Sequence, residues 1–394
     1  MTLTSFQTLA LAALVVYFGR WLKTKIHFID KYNLPSPVIG GFITAGVLTV
    51  LKAHDIFVIH FDKAFEQALM IMFFTSVGYS ASVRLLREGG RIVVFFLLLT
   101  IAGLLVQILA GIGVAKLMGL HPLMGVLTGA VALTGGPGTA LAFGPPIEAA
   151  GVEGASAIGL TAAMGGILLG GLLGSPLATF LIHKKSLREN LHLHATERAA
   201  PKILQAHSGK DLLYNILALI LIMGIGTTLS KWINDDLGIT LPIYIGSMII
   251  AALFRNIEDV KPVFKIDVDW IEEIGSVALT LFIAMAIMSL RLEELKNAAL
   301  PILIFLGIQT ILVAITALGP VFWVTGKDYE ASVISAGYTG FMMGTTANAM
   351  ANMSALSQRY GPAPKAFLAV PIVGSCFIDF INAALITFCL NYFR

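Results

Sequence analysis

Six consecutive residues, Thr134-Gly135-Gly136-Pro137-Gly138-Thr139, put three glycines and two hydroxyls inside an apolar stretch. Glycine lets a ligand come close to the backbone. Amides exposed at the start of a half-helix carry partial positive charge, which suits a carboxylate. A second cluster holds Gly337, Thr339-Gly340, Gly344-Thr345-Thr346 and Asn348, with Asn352 four residues further on the same helical face. Amide and hydroxyl oxygens beside unwound backbone carbonyls are hard ligands of the kind sodium takes. The expected substrate contacts are therefore Thr134, Gly135, Gly136, Gly138, Thr139, Thr339, Gly340, Gly344, Thr345, Thr346 and Asn348, with Asn348 and Asn352 open to an ion. A plainer reading stands beside this one, because glycine also serves close helix packing in membranes and Asn and Thr bond between helices.

Asp379 lies near the middle of the last apolar stretch, in Pro371-Ile372-Val373-Gly374-Ser375-Cys376-Phe377-Ile378-Asp379-Phe380-Ile381-Asn382. A carboxylate at that depth is costly, so it faces a cavity, an ion or a proton path, or else bonds to a neighbouring helix end. Other reactive residue types carry no such signal. Glu148, Glu153, Glu272 and Glu273 fall in a loop or at a span start, where acids are solvated or capping. His183, His192, His194 and His207 lack a compact metal spacing. Cys376 and Cys389 share one apolar stretch, where pairing would fold a helix back on itself, so free thiols are expected. No nucleophile, metal set or acid-base pair accompanies Asp379, so neither an enzyme nor a cofactor is expected.

What must position these residues is a membrane-embedded scaffold. Of 394 residues 57% are apolar and only 12% charged, too little polar surface for a water-soluble globule. The net charge of +3 gives no reason to expect a nucleic-acid partner. The first apolar run, 9–22, lacks the basic start and small-residue cleavage site of a secretory signal and is taken as the first span. Windows long enough to cross lie near 4–22, 36–53, 66–83, 92–117, 123–144, 155–182, 212–230, 239–254, 273–290, 299–324, 331–355 and 365–391.

Two of these windows, 123–144 and 331–355, contain the glycine clusters and make poor continuous helices. Broken backbone at membrane depth is tolerated only against protein or a water-filled cavity. Both are therefore read as re-entrant hairpins between ten true spans. Charge supports the same count, since cytoplasmic loops are enriched in Lys and Arg. With both termini outside, Arg20, Lys23, Lys25, Arg84, Arg87, Arg91, Lys184, Lys185, Arg188, Arg255 and Lys261 all fall on the inner side.

The halves repeat at an offset near 207 residues: Leu34-Pro35 returns as Leu241-Pro242, and Ser82-Val83-Arg84-Leu85 as Ser289-Leu290-Arg291-Leu292. Thr134-Gly135 matches Thr339-Gly340, and Gly138-Thr139 matches Gly344-Thr345. The expected organisation is a first repeat over 1–182, a cytoplasmic linker over 183–211 and a second repeat over 212–394. Each repeat has five spans and one hairpin, and the odd count inverts the second. The expected fold class is an all-α polytopic membrane protein built of two inverted repeats. Such repeats with paired broken segments point to a secondary transporter with its site near the midplane.

With these motifs in place, the chain resembles the sodium:glutamate symporter family from about Pro37 to Asn382. Arg87-Glu88-Gly89-Gly90-Arg91, the 134–139 hairpin, Ala351-Asn352-Met353, Gly361-Pro362, and Phe377-Ile378-Asp379 with Asn382-Ala383 carry the resemblance. It implies sodium-driven glutamate uptake across a bacterial inner membrane by an elevator mechanism, in which a core bearing both hairpins slides against a dimerising scaffold. The hairpin tips would hold the substrate; Asn352, Asp379 and Asn382 would serve sodium, with Ser375 beside them. The chain departs from the family pattern at Pro137, where a histidine is common, and at Ala347-Asn348, where a Pro-Thr pair is common. A proton-coupled carrier or exporter of a small organic anion, with Asp379 titrating, is the alternative.

Overall fold

A computed structural model describes residues 2–27, 29, 34–54, 59–185, 187, 209–237, 241–262, 264, 266–290 and 298–394. Of the 183–211 linker, residues 186 and 188–208, with His192, His194 and His207, lie outside the described residues. The first half runs α1 (Ser5–Lys25), α2 (Ser36–Ala53), α3 (Ala64–Ser80), the short α4 (Val83–Glu88) and α5 (Gly90–Leu117). Then come α6 (Pro122–Val126) with its π-helical continuation Leu127–Thr134, α7 (Gly136–Ala149) and α8 (Ala155–Lys184). The second half runs α9 (Gly209–Leu237), α10 (Ile243–Val260), α11 (Val268–Met288), α12 (Ala299–Thr316) and α13 (Phe322–Val324). It ends with α14 (Tyr329–Met342), α15 (Thr346–Tyr360), α16 (Pro364–Ile372) and α17 (Ile378–Tyr392).

Helices form nearly everything described, the exception in pairing being a single bridge between Thr2 and His60. Among the described residues six segments are long and apolar enough to cross a bilayer unaided: Ser5–Lys25, Gly90–Leu117, Ala155–Lys184, Leu212–Asp236, Val268–Met288 and Ala299–Val324. Ser36–Lys52 and Ile378–Tyr392 are shorter apolar helices. Many of the side chains these helices expose are leucine, isoleucine or valine, such as Leu98, Leu105 and Leu109 on α5 and Leu217, Leu221 and Ile225 on α9. In water that surface would be a liability, whereas against lipid chains it costs nothing. The molecule is a multi-pass membrane protein.

Local sequence sets the helix starts. Both Leu-Pro pairs end at one: Pro35 caps α2 and Pro242 caps α10, each in extended backbone. Proline has no amide to lose there and its fixed φ leads into the first turn. His121 caps α6, accepting from the Leu123 amide at 3.3 Å, and Asp328 caps α14, accepting from Ala331 at 2.7 Å. Three π-helical stretches widen the rods: Leu127–Thr134, Ala317–Val321 and Val373–Phe377. Pro320 lies within the second and Pro371 just before the third, where a missing amide favours a local change of register.

Both glycine clusters do interrupt their helices, but the extents differ from those expected. The first segment runs from Pro122 to Ala149 and breaks at Gly135, where Gly136 takes φ +68°. It continues beyond 144 through Pro145 and Pro146, which keep helical φ and each remove only one donor near the helix end. The second runs from Tyr329 to Tyr360 and breaks only at 343–345. Gly337, Thr339 and Gly340, expected to contribute to the break, lie inside the unbroken α14. Gly337 and Gly340 allow close packing there: a methyl group on Gly337 would sit 2.8 Å from the Met353 sulfur, and one on Gly340 2.8 Å from the Ala349 nitrogen. Contacts 337 to 353 and 340 to 349 run in opposite directions, so α14 and α15 lie antiparallel as a hairpin.

The largest buried cluster surrounds these two segments and α8. It takes in Leu127, Val131 and Leu133 from the first, Val333, Ile334 and Phe341 from the second, and Ile158, Leu160 and Ala163 from α8. The broken segments therefore sit at the protein's interior, away from lipid.

Candidate functional site

The tips of the two broken segments meet. A methyl group placed on Gly136 would lie 3.4 Å from the Gly344 carbonyl oxygen and 3.8 Å from the Thr345 Cγ2. Beside them opens a cavity of about 380 Å³, lined by Thr134, Gly135, Gly136, Pro137 and Gly138 from the first tip and Gly344, Thr345 and Thr346 from the second. Asp379, in the first turn of α17, lines the same cavity.

Helix geometry gives this space its polarity. The first amides of a helix have no carbonyl to bond within it. At α7 the Gly135 amide is used by the Ala130 carbonyl at 3.0 Å and Pro137 has none, which leaves Gly136 and Gly138. At α15 the Thr345 hydroxyl caps the Asn348 amide at 3.3 Å, which leaves Thr346 and Ala347. Each pair stands at the positive end of a helix dipole, so a carboxylate between the tips meets amides from both sides.

The tips are held by a buried network. The Thr134 hydroxyl donates to Gln107 Oε1 at 2.6 Å, and Gln107 Nε2 donates to the Met342 carbonyl at 2.9 Å. Gln309 Nε2 in turn donates to the Gln107 carbonyl at 2.9 Å. One side chain on α5 thus ties the last residue before one break to the last residue before the other. Sequence reading missed both glutamines, although an uncharged polar residue in the middle of each of two strongly apolar windows was a usable signal.

Several expected contacts lie off the cavity. Thr139 packs on Gly135 and is buried, and the buried Thr339 hydroxyl donates to the Ser335 carbonyl at 2.9 Å. Asn348 and Asn352 face α8: Asn348 Nδ2 donates to the Ile167 carbonyl at 2.7 Å and Asn352 Nδ2 to the Gly170 carbonyl at 3.0 Å. Ser175 Oγ donates to Asn352 Oδ1 at 3.2 Å. Gly166, Gly170 and Gly174, four apart on α8, make that approach possible, since a side chain on Gly174 would collide with the Asn352 amide. Asn382 is buried on α17, with Nδ2 donating to the Ala130 carbonyl at 3.0 Å and Oδ1 left without a partner. The Ser375 and Cys376 side chains lie outside the described residues, and Cys389 is a buried free thiol.

Four further helices complete the cavity wall, and none was legible beforehand. Val16 and Arg20 come from α1, Ser36 from the start of α2, Phe73 from α3, and Leu279, Thr280 and Ile283 from α11. These residues lie in ordinary apolar spans and become visible as wall only once the helices are packed.

Paired broken helices whose tips meet beside a cavity holding Arg20 and Asp379, inside a lipid-facing helical bundle, define a membrane transport protein. Similarity to known proteins narrows the class. The family model for the sodium/glutamate symporter matches residues 1–362. The chain is 35% identical over 390 residues to the sodium/glutamate symporter of Escherichia coli (strain K12), covering 98% of this chain and 96% of that one. It is 36% identical over 391 residues to the sodium/glutamate symporter of Haemophilus influenzae, with the same coverage of 98% and 96%. The chain belongs to the sodium/glutamate symporter family.

Proposed function

We propose that the protein is a secondary active transporter that carries glutamate into the cell together with sodium. The observation that carries this reading is the convergence of the α7 and α15 N-termini on one cavity that also holds Asp379. Two free amides at each tip suit the carboxylate of an amino acid, and the cavity volume of about 380 Å³ is ample for one. The relatives are named as sodium/glutamate symporters, which supports the same cargo and coupling ion and a transport rather than an enzymatic role.

Sodium is assigned to the oxygens around α17. Asp379 supplies a carboxyl group, and Asn382 Oδ1 is a buried acceptor whose lone pairs nothing else uses. Asn348, Asn352 and Ser375 enter the assignment from their residue types and the family resemblance; in this structure the Asn348 and Asn352 amides bond α8 carbonyls instead. Hard oxygen ligands near an unwound segment are the arrangement this ion takes in broken-helix carriers.

The architecture proposed for this work is two inverted repeats over 1–182 and 212–394, joined by a cytoplasmic linker and each carrying five spans and one re-entrant hairpin. The element order supports it, because a broken segment follows the fourth long helix in each half. The Leu-Pro pairs support it too, since each starts the second helix of its half. The proposal sets the protein in a bacterial inner membrane, and the Lys and Arg distribution supports placing both termini on the periplasmic side. An elevator movement of the hairpin-bearing core against a dimerising scaffold completes the proposal.

Purified protein in liposomes tests the reading. An inward sodium gradient should drive radiolabelled glutamate to accumulate, and collapse of that gradient should abolish accumulation. Accumulation driven by a pH gradient without sodium, or no accumulation of glutamate at all, would overturn it.

A further inference from the structure

Arg20 and Asp379 are the two ionisable side chains among the described residues that line the cavity. The substrate assigned above has two carboxylates and one ammonium, and the free amides at the hairpin tips suit only one carboxylate. We propose that Arg20 receives the second, side-chain carboxylate and so selects an acidic amino acid over its neutral amide; this rests on the proposed glutamate transport.

Three observations carry the assignment. Arg20 has no ion-pair partner among the described residues, so its guanidinium is available. Its backbone is anchored beside the cavity, because Gly19 packs directly on the Ser36 carbonyl and so holds the end of α1 against the start of α2. Ser36 lines the cavity beside it, and as the first residue of α2 its amide has no carbonyl to bond within the helix. Charge balance points the same way. A sodium ion on Asp379 would offset that carboxylate, leaving Arg20 as the net charge facing an anionic group. The planar fork of arginine matches a carboxylate in two parallel hydrogen bonds, which a lysine cannot reproduce.

The test compares wild type with Arg20→Gln and Arg20→Lys in liposomes under a sodium gradient. Glutamate uptake is measured directly and glutamine as a competitor. Arg20→Gln should raise the glutamate KM about tenfold or more, leave kcat within about twofold, and leave the sodium activation constant unchanged. The inhibition constant for glutamine should stay near its wild-type value, so the preference for glutamate collapses; Arg20→Lys should fall between. A structural role would weaken both ligands together. An unchanged glutamate KM, or an equal loss for glutamate and glutamine, overturns the assignment. If Arg20→Gln fails to assemble, the Arg20→Lys ratio of the two ligands decides alone, and a wild-type ratio overturns the proposal. Wild-type protein that does not transport glutamate with sodium would instead overturn the function on which the proposal rests.

Discussion

Thr134 and Met342, on different broken helices, are joined through one side chain: Gln107 accepts from the Thr134 hydroxyl at 2.6 Å and donates to the Met342 carbonyl at 2.9 Å. Both glycine tips begin immediately after these residues. Gln107 and Met342 are buried, so the Met342 carbonyl has no water as a substitute for this bond. The relative placement of the two tips therefore depends on an amide on α5.

Gln107→Leu should leave a hydroxyl and a carbonyl unpaired in the interior, at about 1–3 kcal/mol each. The expected result is a lower melting temperature in detergent and a raised KM for glutamate. Gln107→Glu keeps an acceptor for Thr134 and loses the donor to Met342, so it should lie between. Equal melting temperatures and KM for all three would contradict the bridging role.

Gly136 takes φ +68° at the tip, while Gly119 takes the same φ in a loop with no atom near its missing side chain. Alanine at either position carries a backbone strain of about 1–3 kcal/mol. Both variants should therefore melt earlier by similar amounts. Only Gly136→Ala also places a methyl beside the free amides and the Gly344 carbonyl, so it alone should lose glutamate uptake. Equal transport by the two would argue against the tip as the binding site.

The α8 to α15 contact can be read by stability alone. Gly174→Ala pushes a methyl into the Asn352 amide, and overpacking of this kind costs about 1–3 kcal/mol. Gly113→Ala on α5, where a methyl meets open space, should be neutral or raise stability by up to about 1 kcal/mol. Thermal unfolding followed by tryptophan fluorescence compares them. A Gly174→Ala protein as stable as Gly113→Ala would mean that this helix pair is looser than its geometry.

Asp379→Asn keeps the shape of the side chain and removes its charge. Under the proposed coupling it should raise the sodium concentration for half-maximal uptake about tenfold or more and make uptake less dependent on sodium, with the protein still assembled. Unaltered sodium activation would remove Asp379 from the ion site.

Sequence made the broken segments legible because Gly and Pro at membrane depth have few physical excuses. Asp379 was legible for the same reason, and it does line the cavity. Periodicity alone could not tell which glycines break a helix and which let another approach. Gly136 and Gly344 belong to the tips, whereas Gly337 and Gly340 pack against α15 and α16 inside a continuous α14. Nor could it tell which polar residues face the cavity. Asn348 and Asn352 share one face as expected, but that face meets carbonyls of α8. Arg20, counted as one of a run of basic residues at a helix end, proved to be cavity wall because α1 packs on the start of α2. Such facts belong to tertiary packing, which no local pattern encodes.

Equilibrium binding of glutamate to the purified protein, measured in sodium and again with choline in its place, addresses the joined sites most directly. Coupling through neighbouring groups predicts that sodium tightens glutamate binding by roughly 5- to 150-fold, and that Asp379→Asn removes the difference. Glutamate affinity that is the same in both salts would contradict the account.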